Sequence, residues 1–400
     1  MSIILSYNGV EKTVTIPYDY SSLRKTFFIE FKEEQNYKYS FYYLTYKNKK
    51  IDFNMIKNHI KTNTNPPIIY VYRLGFKFLK DLTNDSYCDN GLNINFVIFN
   101  SYYDGILYLV YTKKNKSIIL YDLVNNQKIS ESKKAHDYPI TYFKHYFDNN
   151  RKRDLIISIS KEDLNLKLWD INRFICLYNF EYVFNNGVLY SACFLNNNNN
   201  NIYLVMGNFD KNWWKSDPIK IFDLYGNLHK EIYDSNSDIY FIDYFYDNNE
   251  SKRYIITGNF GYIKSYDYNL NKIYYKYDDK DIWGHKNIII YNDKNIAKII
   301  DSSGDGNIRI WNFHKGELIN KIKACDNEIL CISLWDKQSI LVSCNDDSMK
   351  IISLMNAQTI ETLYDYIINI MSIQKIIHPE YGKCLVTQNK INGKIKLWHI

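Results

Sequence analysis

Short apolar runs of period two, closed by an aromatic and then a polar residue, recur along most of the 400-residue chain. The pattern is fullest at Ile299–Phe313. Ile299 and Ile300 end one apolar run, Ser302-Ser303-Gly304-Asp305-Gly306-Asn307 supplies small and turn-forming residues, and Ile308-Arg309-Ile310-Trp311 alternates as a second run. Such alternation predicts strands. Asp305-Gly306 between them predicts a hairpin, because glycine takes positive φ without a Cβ clash. Runs of the same shape lie at Ile118–Leu123, Leu166–Ile171, Ile219–Leu224, Ile263–Tyr268, Met349–Leu354 and Ile395–Ile400. Their aromatic position reads Tyr121, Trp169, Phe222, Tyr266, Trp311, then Ile352 as the outlier, then Trp398. These positions fall roughly 41 to 53 residues apart, a spacing that predicts stacked repeats.

Gly284-His285 stands ahead of a further apolar run, Ile288–Tyr291. A Gly-His pair, a hairpin closing in Asp-Gly, and an aromatic ending the strand together resemble a blade of the WD40 β-propeller family. The resemblance covers Phe76 to Ile400, about four-fifths of the chain. It implies a mainly β fold: a seven-bladed WD40-type propeller with four antiparallel strands per blade, the aromatic motif marking the third. Fourth strands are then expected at Phe174–Phe180 and Glu317–Lys323. None follows the seventh motif, and an open sheet edge leaves backbone groups unpaired. Phe76–Leu82 has a strand pattern with no blade before it, so it is expected to close the ring against Ile395–His399.

Residues 1–75 lie outside the repeat. Strands are expected at Ile3–Tyr7, Thr13–Tyr18, Tyr39–Tyr46, Ile51–Phe53 and Ile68–Leu74, with a turn at Asn8-Gly9. A helix capped by Ser21-Ser22 is expected to run to about Gln35, its apolar stripe being Leu23, Phe27, Phe28 and Phe31, and a short one at Met55–Ile60. This order resembles a small ubiquitin-like α+β domain, conceivably of PB1 type, ending at Gly75. The acidic loop that PB1 pairing uses is replaced by Tyr46-Lys-Asn-Lys-Lys50, and Ser6 stands at the first-strand lysine position. The fold carries over and the pairing chemistry does not.

Composition narrows the function classes. Aromatics at 17%, with 39 Tyr, suit pleated surfaces. A net charge of +6 is mild, and the arginines are scattered apart from Arg151 and Arg153, which argues against a nucleic-acid-binding stripe. Seven cysteines form no Cys-x-x-Cys pair and read as free thiols in a reducing compartment. With no signal-peptide core and no apolar run of membrane-spanning length, the expectation is a cytoplasmic protein, with the nucleus as an alternative, and no membrane partner.

Four residues invite a chemical reading. By resemblance, His285, Ser303, Asp305 and Trp311 form a hydrogen-bonded structural tetrad within a blade; His136, Asp163 and Trp169 match it in the second, with Ser160 near but out of register. Ser, His and Asp also compose a hydrolase triad. Buried polar groups need partners, however, and no Gly-x-Ser-x-Gly elbow is present, so no catalytic residue is assigned. No phosphate loop and no metal or cofactor site is assigned either; Asp278-Asp279 and Asp346-Asp347 read as solvated turns.

The stretch Phe209-Asp-Lys-Asn-Trp-Trp-Lys-Ser-Asp-Pro218 joins the second and third strands of the third blade. Trp213 and Trp214 on such a loop, with Trp283 on another, are the expected protein-binding anchors. The functional expectation is a non-enzymatic scaffold or adaptor for other proteins or peptides. A substrate receptor of a ubiquitin ligase is the alternative. Its Trp-Asp-x-Arg box is departed from in Trp169-Asp170-Ile171-Asn172, with Arg173 one place on. A propeller hydrolase is the alternative of another class.

Overall fold

A computed structural model describes residues 2–7, 10–15, 40–46, 49–51 and 68–399, apart from 84, 89–94, 115, 161, 163, 182, 185–186, 198–199, 210–216, 234–238, 260, 280–284, 294–295, 337, 346–347 and 365–368. The helices expected at 21–35 and 55–60 lie outside the described residues.

Six antiparallel sheets of four strands each follow one another along the chain, beginning with Phe96–Asn100, Leu107–Thr112, Ile118–Asp122 and Gln127–Ser132. The seventh begins as Ile370–His378, Gly382–Asn389 and Ile395–His399. The protein is a seven-bladed β-propeller. Each blade is sandwiched between two neighbours, so its inner strands are apolar on both faces and alternation gives way to continuous burial, as along all of Leu107–Thr112. Fourth strands form the rim and stay largely exposed, as in Gln127–Ser132. An apolar core fills every junction between adjacent blades, including the one between the seventh and the first, where Leu397 and Val386 meet Phe96 and Leu109.

The aromatic repeat marks a specific local event. In the first six blades the register between third and fourth strands shifts by one residue at the aromatic position: at Tyr121, Trp169, Phe222, Tyr266, Trp311 and at Ile352, where the aromatic is missing. A bulge there adds twist and turns the rim strand away from the sheet plane.

Closure comes from upstream. We label the amino-terminal strands β1 (Ser2–Tyr7), β2 (Val10–Thr15), β3 (Ser40–Tyr46), β4 (Lys49–Ile51) and β5 (Ile68–Asp81). β5 pairs antiparallel with Ile395–His399, placing Phe78 opposite Trp398 and Asp81 opposite Lys396, and the register shift falls again at the aromatic, between Leu397 and Trp398. The Phe78 and Trp398 rings meet edge-on at 5.3 Å. Gly393 repeats at this seam what Gly306 does in the fifth blade. A Cβ on either glycine would lie 2.2–2.3 Å from a carbonyl oxygen of the next connection, that of Ser86 or Cys325, and each backbone has positive φ.

β5 is also the central strand of the amino-terminal sheet, ordered β2-β1-β5-β3-β4, with β1 parallel and β3 antiparallel to it. Gly75, expected to end a separate domain, lies inside this 14-residue strand.

One expectation about cysteine is corrected. Cys325, in the connection after the fifth blade, and Cys344, at the end of the sixth blade's second strand, form a buried disulfide with Cα atoms 5.9 Å apart. Both segments end on the same face of the sixth blade, which spacing along the chain does not reveal. Among the other cysteines, Cys193, Cys331 and Cys384 are buried thiols.

Candidate functional site

Three polar devices recur in the blades. The first uses the third-strand tryptophan. Trp169 Nε1–H donates to Ser158 Oγ at 2.8 Å, and the same hydroxyl is 2.8 Å from His136 Nε2. In the seventh blade Trp398 Nε1–H donates to Thr387 Oγ1 at 3.0 Å. Ser158 lies opposite Lys167 and Thr387 opposite Lys396, the same register position two residues before the tryptophan. Asp301 occupies that position in the fifth blade.

The fifth-blade tetrad is therefore arranged otherwise than expected. His285 Nδ1–H donates to Asp301 Oδ1 at 2.7 Å. Asp305 instead takes both ends of the Arg309 guanidinium, at 3.2 and 2.6 Å, and the Asn307 amide. Ser303 is buried directly across from His285 in the strand register. Trp311 Nε1–H has no hydrogen-bond acceptor among the described residues. Burial pushes the Asp301 carboxyl up, and His285 beside it only partly offsets this. Burial would also raise Asp305, but its bonds to Arg309 and Asn307 hold it well below the ordinary carboxylate range.

In the second blade, Ser158 rather than Ser160 supplies the hydroxyl, while Asp163 lies outside the described residues. Each hydroxyl of these sets is fully buried and each bonded histidine nearly so. In the second and seventh blades the hydroxyl satisfies the buried indole donor, which the fifth blade leaves without an acceptor among the described residues.

The second device explains the acid after the aromatic. Asp122 Oδ1 accepts the N–H groups of Val124 and Asn125, Asp267 Oδ1 those of Asn269 and Leu270, and Asn312 Oδ1 those of His314 and Lys315. The side chain caps the turn to the fourth strand. The third is a cation two residues before the aromatic. Lys167 Nζ donates to Ala135 O, Lys220 Nζ to Val183 O and Lys350 Nζ to Ala324 O, all at 2.7–2.8 Å, tying each third strand to the connection that enters its blade. Arg309 does the same through Asp279, at 2.6 Å. Asp279 is thus an ion-pair partner of a fully buried guanidinium, not the solvated turn acid expected; Asp346-Asp347 lie outside the described residues. Sequence reading passed over these cations, although every motif but the first displays one.

An aromatic cluster lies where the third and fourth blades meet, on the face bearing the second-to-third-strand turns. Trp213, Trp214 and Trp283 lie outside the described residues. Phe209, from which the Trp213–Trp214 loop departs, is described. Its ring lies 4.7 Å from Tyr240 and 5.9 Å from Tyr190, and Tyr190 lies 5.4 Å from Tyr240. All three are half-buried. Asn208 Nδ2 donates to Asp217 Oδ2 at 3.0 Å, joining the two ends of the loop. Tyr190 and Tyr240, distant in sequence, were not legible as partners of Phe209. Trp335 packs partly buried on the core between the sixth and seventh blades, with Lys375 Nζ over its ring at 4.7 Å.

First strands line a central cavity of about 370 Å³. Gln374 accepts from Ile98 N–H at 3.0 Å, and Asn287 Oδ1 accepts from Ile332 N–H at 3.2 Å, so polar side chains stitch adjacent first strands. Lys144 and Asp243, from the second and fourth blades, form an ion pair at 3.0 Å. Burial pulls the Lys144 ammonium down, but the Asp243 carboxylate outweighs it and holds the group above its ordinary value. Gln374 and Asn287 thus join neighbouring blades, and Lys144 reaches across to the fourth.

No protein-family model matches the chain, and no curated protein matches it.

Proposed function

We propose that the chain is a non-enzymatic scaffold of WD40 type that binds other proteins or peptides through the face around Tyr190, Phe209 and Tyr240. The observation that carries this reading is the half-buried three-ring cluster at the root of a loop bearing two adjacent tryptophans. Aromatic anchors on a rigid rim bury large area at small cost in side-chain entropy. Internal use of the Ser158–His136 and His285–Asp301 sets supports the non-enzymatic part. The Trp–hydroxyl–His set of the second blade and the turn-capping acids support the WD40 assignment. The sheet order β2-β1-β5-β3-β4, with its first and last strands parallel at the centre, supports reading residues 1–75 as ubiquitin-like and as a second docking unit.

The test is affinity capture from cell lysate with the wild-type chain, the Trp213→Ala/Trp214→Ala double variant and Tyr240→Ala. Loss of a shared set of partners from both variants is expected, with unchanged melting of the double variant. Retention of every partner by both would refute the site.

A further inference from the structure

On the opposite face, where the fourth and fifth blades meet, Asp247, Glu250 and His314 bring one ligand atom each within 4.8 Å of one another. Asp247 ends the first strand of the fourth blade, and its Oδ1 accepts the Asn249 N–H at 2.8 Å, which fixes the carboxylate. His314 follows the capping residue Asn312 in the fifth blade, whose side chain binds its N–H.

The informative atom is Asp247 Oδ2. The side chain is fully buried, yet this oxygen accepts no hydrogen bond among the described residues. Leaving such an atom unpaired is costly, the more so when it is charged. The second blade shows how the same position is ordinarily satisfied. There Asp148 lies opposite Arg153, whose Nε–H donates to Asp148 Oδ2 at 3.0 Å. In the fourth blade Lys252 stands opposite Asp247 but pairs with Glu250 Oε2 at 2.9 Å instead.

His314 Nε2 lies 2.9 Å from the orphaned oxygen without the alignment of a hydrogen bond. Its Nδ1 has its own neighbours, the Tyr274 hydroxyl at 3.3 Å and Glu250 Oε1 at 3.5 Å. A proton on Nδ1, where these oxygens can accept it, leaves the Nε2 lone pair facing a carboxylate lone pair. A cation between them removes the conflict. Two ligand atoms about 2.1 Å from one tetrahedral ion lie about 3.4 Å apart, so the 2.9 Å pair needs to part by only about half an ångström to admit one. Nitrogen and carboxylate donors together select a borderline ion over calcium or magnesium. Glu250 and His314 are partly exposed, which leaves a path for entry and positions for water.

We propose that Asp247, Glu250 and His314 bind a divalent transition-metal ion of the zinc type, pinning the fourth blade to the fifth. Asp247 Oδ2 and His314 Nε2 are the fixed ligands. Glu250 turns Oε1 inward as the third, while Tyr254 OH, 3.0 Å away, and Lys252 keep its Oε2. Tyr274 takes the Nδ1 proton and so orients the imidazole.

The test is calorimetric titration of ZnCl₂ into the chelator-stripped full chain, with absorption spectra of Co²⁺ as a second readout. One ion per chain is expected, with affinity lowered about a hundredfold in His314→Gln and at least tenfold in Glu250→Gln. Both residues are partly exposed and the substitutions conserve size, so the metal-free variants should melt close to the wild type. Asp247→Asn is the harsher variant and is read only alongside these two. Absence of stoichiometric binding, or binding unchanged in His314→Gln, would overturn the proposal. So would a metal-independent loss of stability in His314→Gln that grows as pH falls, since that is the behaviour of an imidazolium clamped between two carboxylates.

Discussion

Trp169, Trp398 and Trp311 occupy one position in three third strands, but their indole N–H groups end differently. Two find a hydroxyl eleven residues upstream, and the third lies in a blade where an aspartate, ten residues upstream, holds the same register position. Thr387→Val keeps the shape of the seventh-blade side chain and strands the Trp398 donor. It is expected to cost about 1–3 kcal/mol in urea unfolding. Two acids of the fifth blade have opposite signs of pH dependence. Asp305 titrates lower folded than unfolded, so its contribution is present above the ordinary carboxylate range and is lost as pH falls below it. Asp301 titrates higher folded, so its contribution falls as pH rises through that range. Asp305→Asn should therefore flatten the acid limb of urea midpoint against pH, and an unchanged limb would assign it to other carboxylates. The tryptophans were legible from sequence because they repeat. Ser158 and Asp301 were not, since identifying them requires the register between two strands rather than proximity along the chain.

At the scale of elements, the alternating runs identified the third strands, and turn chemistry identified the hairpin at Asp305-Gly306. The fourth strands at Ile175–Phe180 and Leu318–Lys323 fall within a residue of expectation. What sequence did not show is that the aromatic marks a bulge, repeated in the sixth blade by Ile352 without any ring. Backbone geometry therefore outlasts the side chain that advertises it. Gly75 misled as a boundary because glycine in an alternating run resembles a break. In β5 the run from Ile68 to Asp81 continues through it, so that one continuous sheet joins β1 and β3 to the seventh blade. The Cys325–Cys344 pair was hidden in the same way as Ser158. Its 19-residue separation corresponds to a loop-closure stabilisation of about 3 kcal/mol.

For the whole molecule, seven thin sheets become stable only by covering one another, and a ring leaves no terminal blade to cover. The seam is the place where this depends on a strand from far upstream. Antiparallel pairing on the third strand and a register shift at the aromatic recur there as in the other blades, and the glycine turn packed on the outgoing connection recurs from the fifth. β5 therefore belongs to the ring as fully as any rim strand, and the amino-terminal sheet is built onto it. The most direct test compares thermal unfolding of the full chain, a chain lacking residues 1–67, and a chain lacking residues 1–82. We predict that the first truncation, which keeps β5, melts close to the full chain, whereas the second loses many degrees and its cooperative transition. Equal melting temperatures for the two truncations would contradict closure by β5.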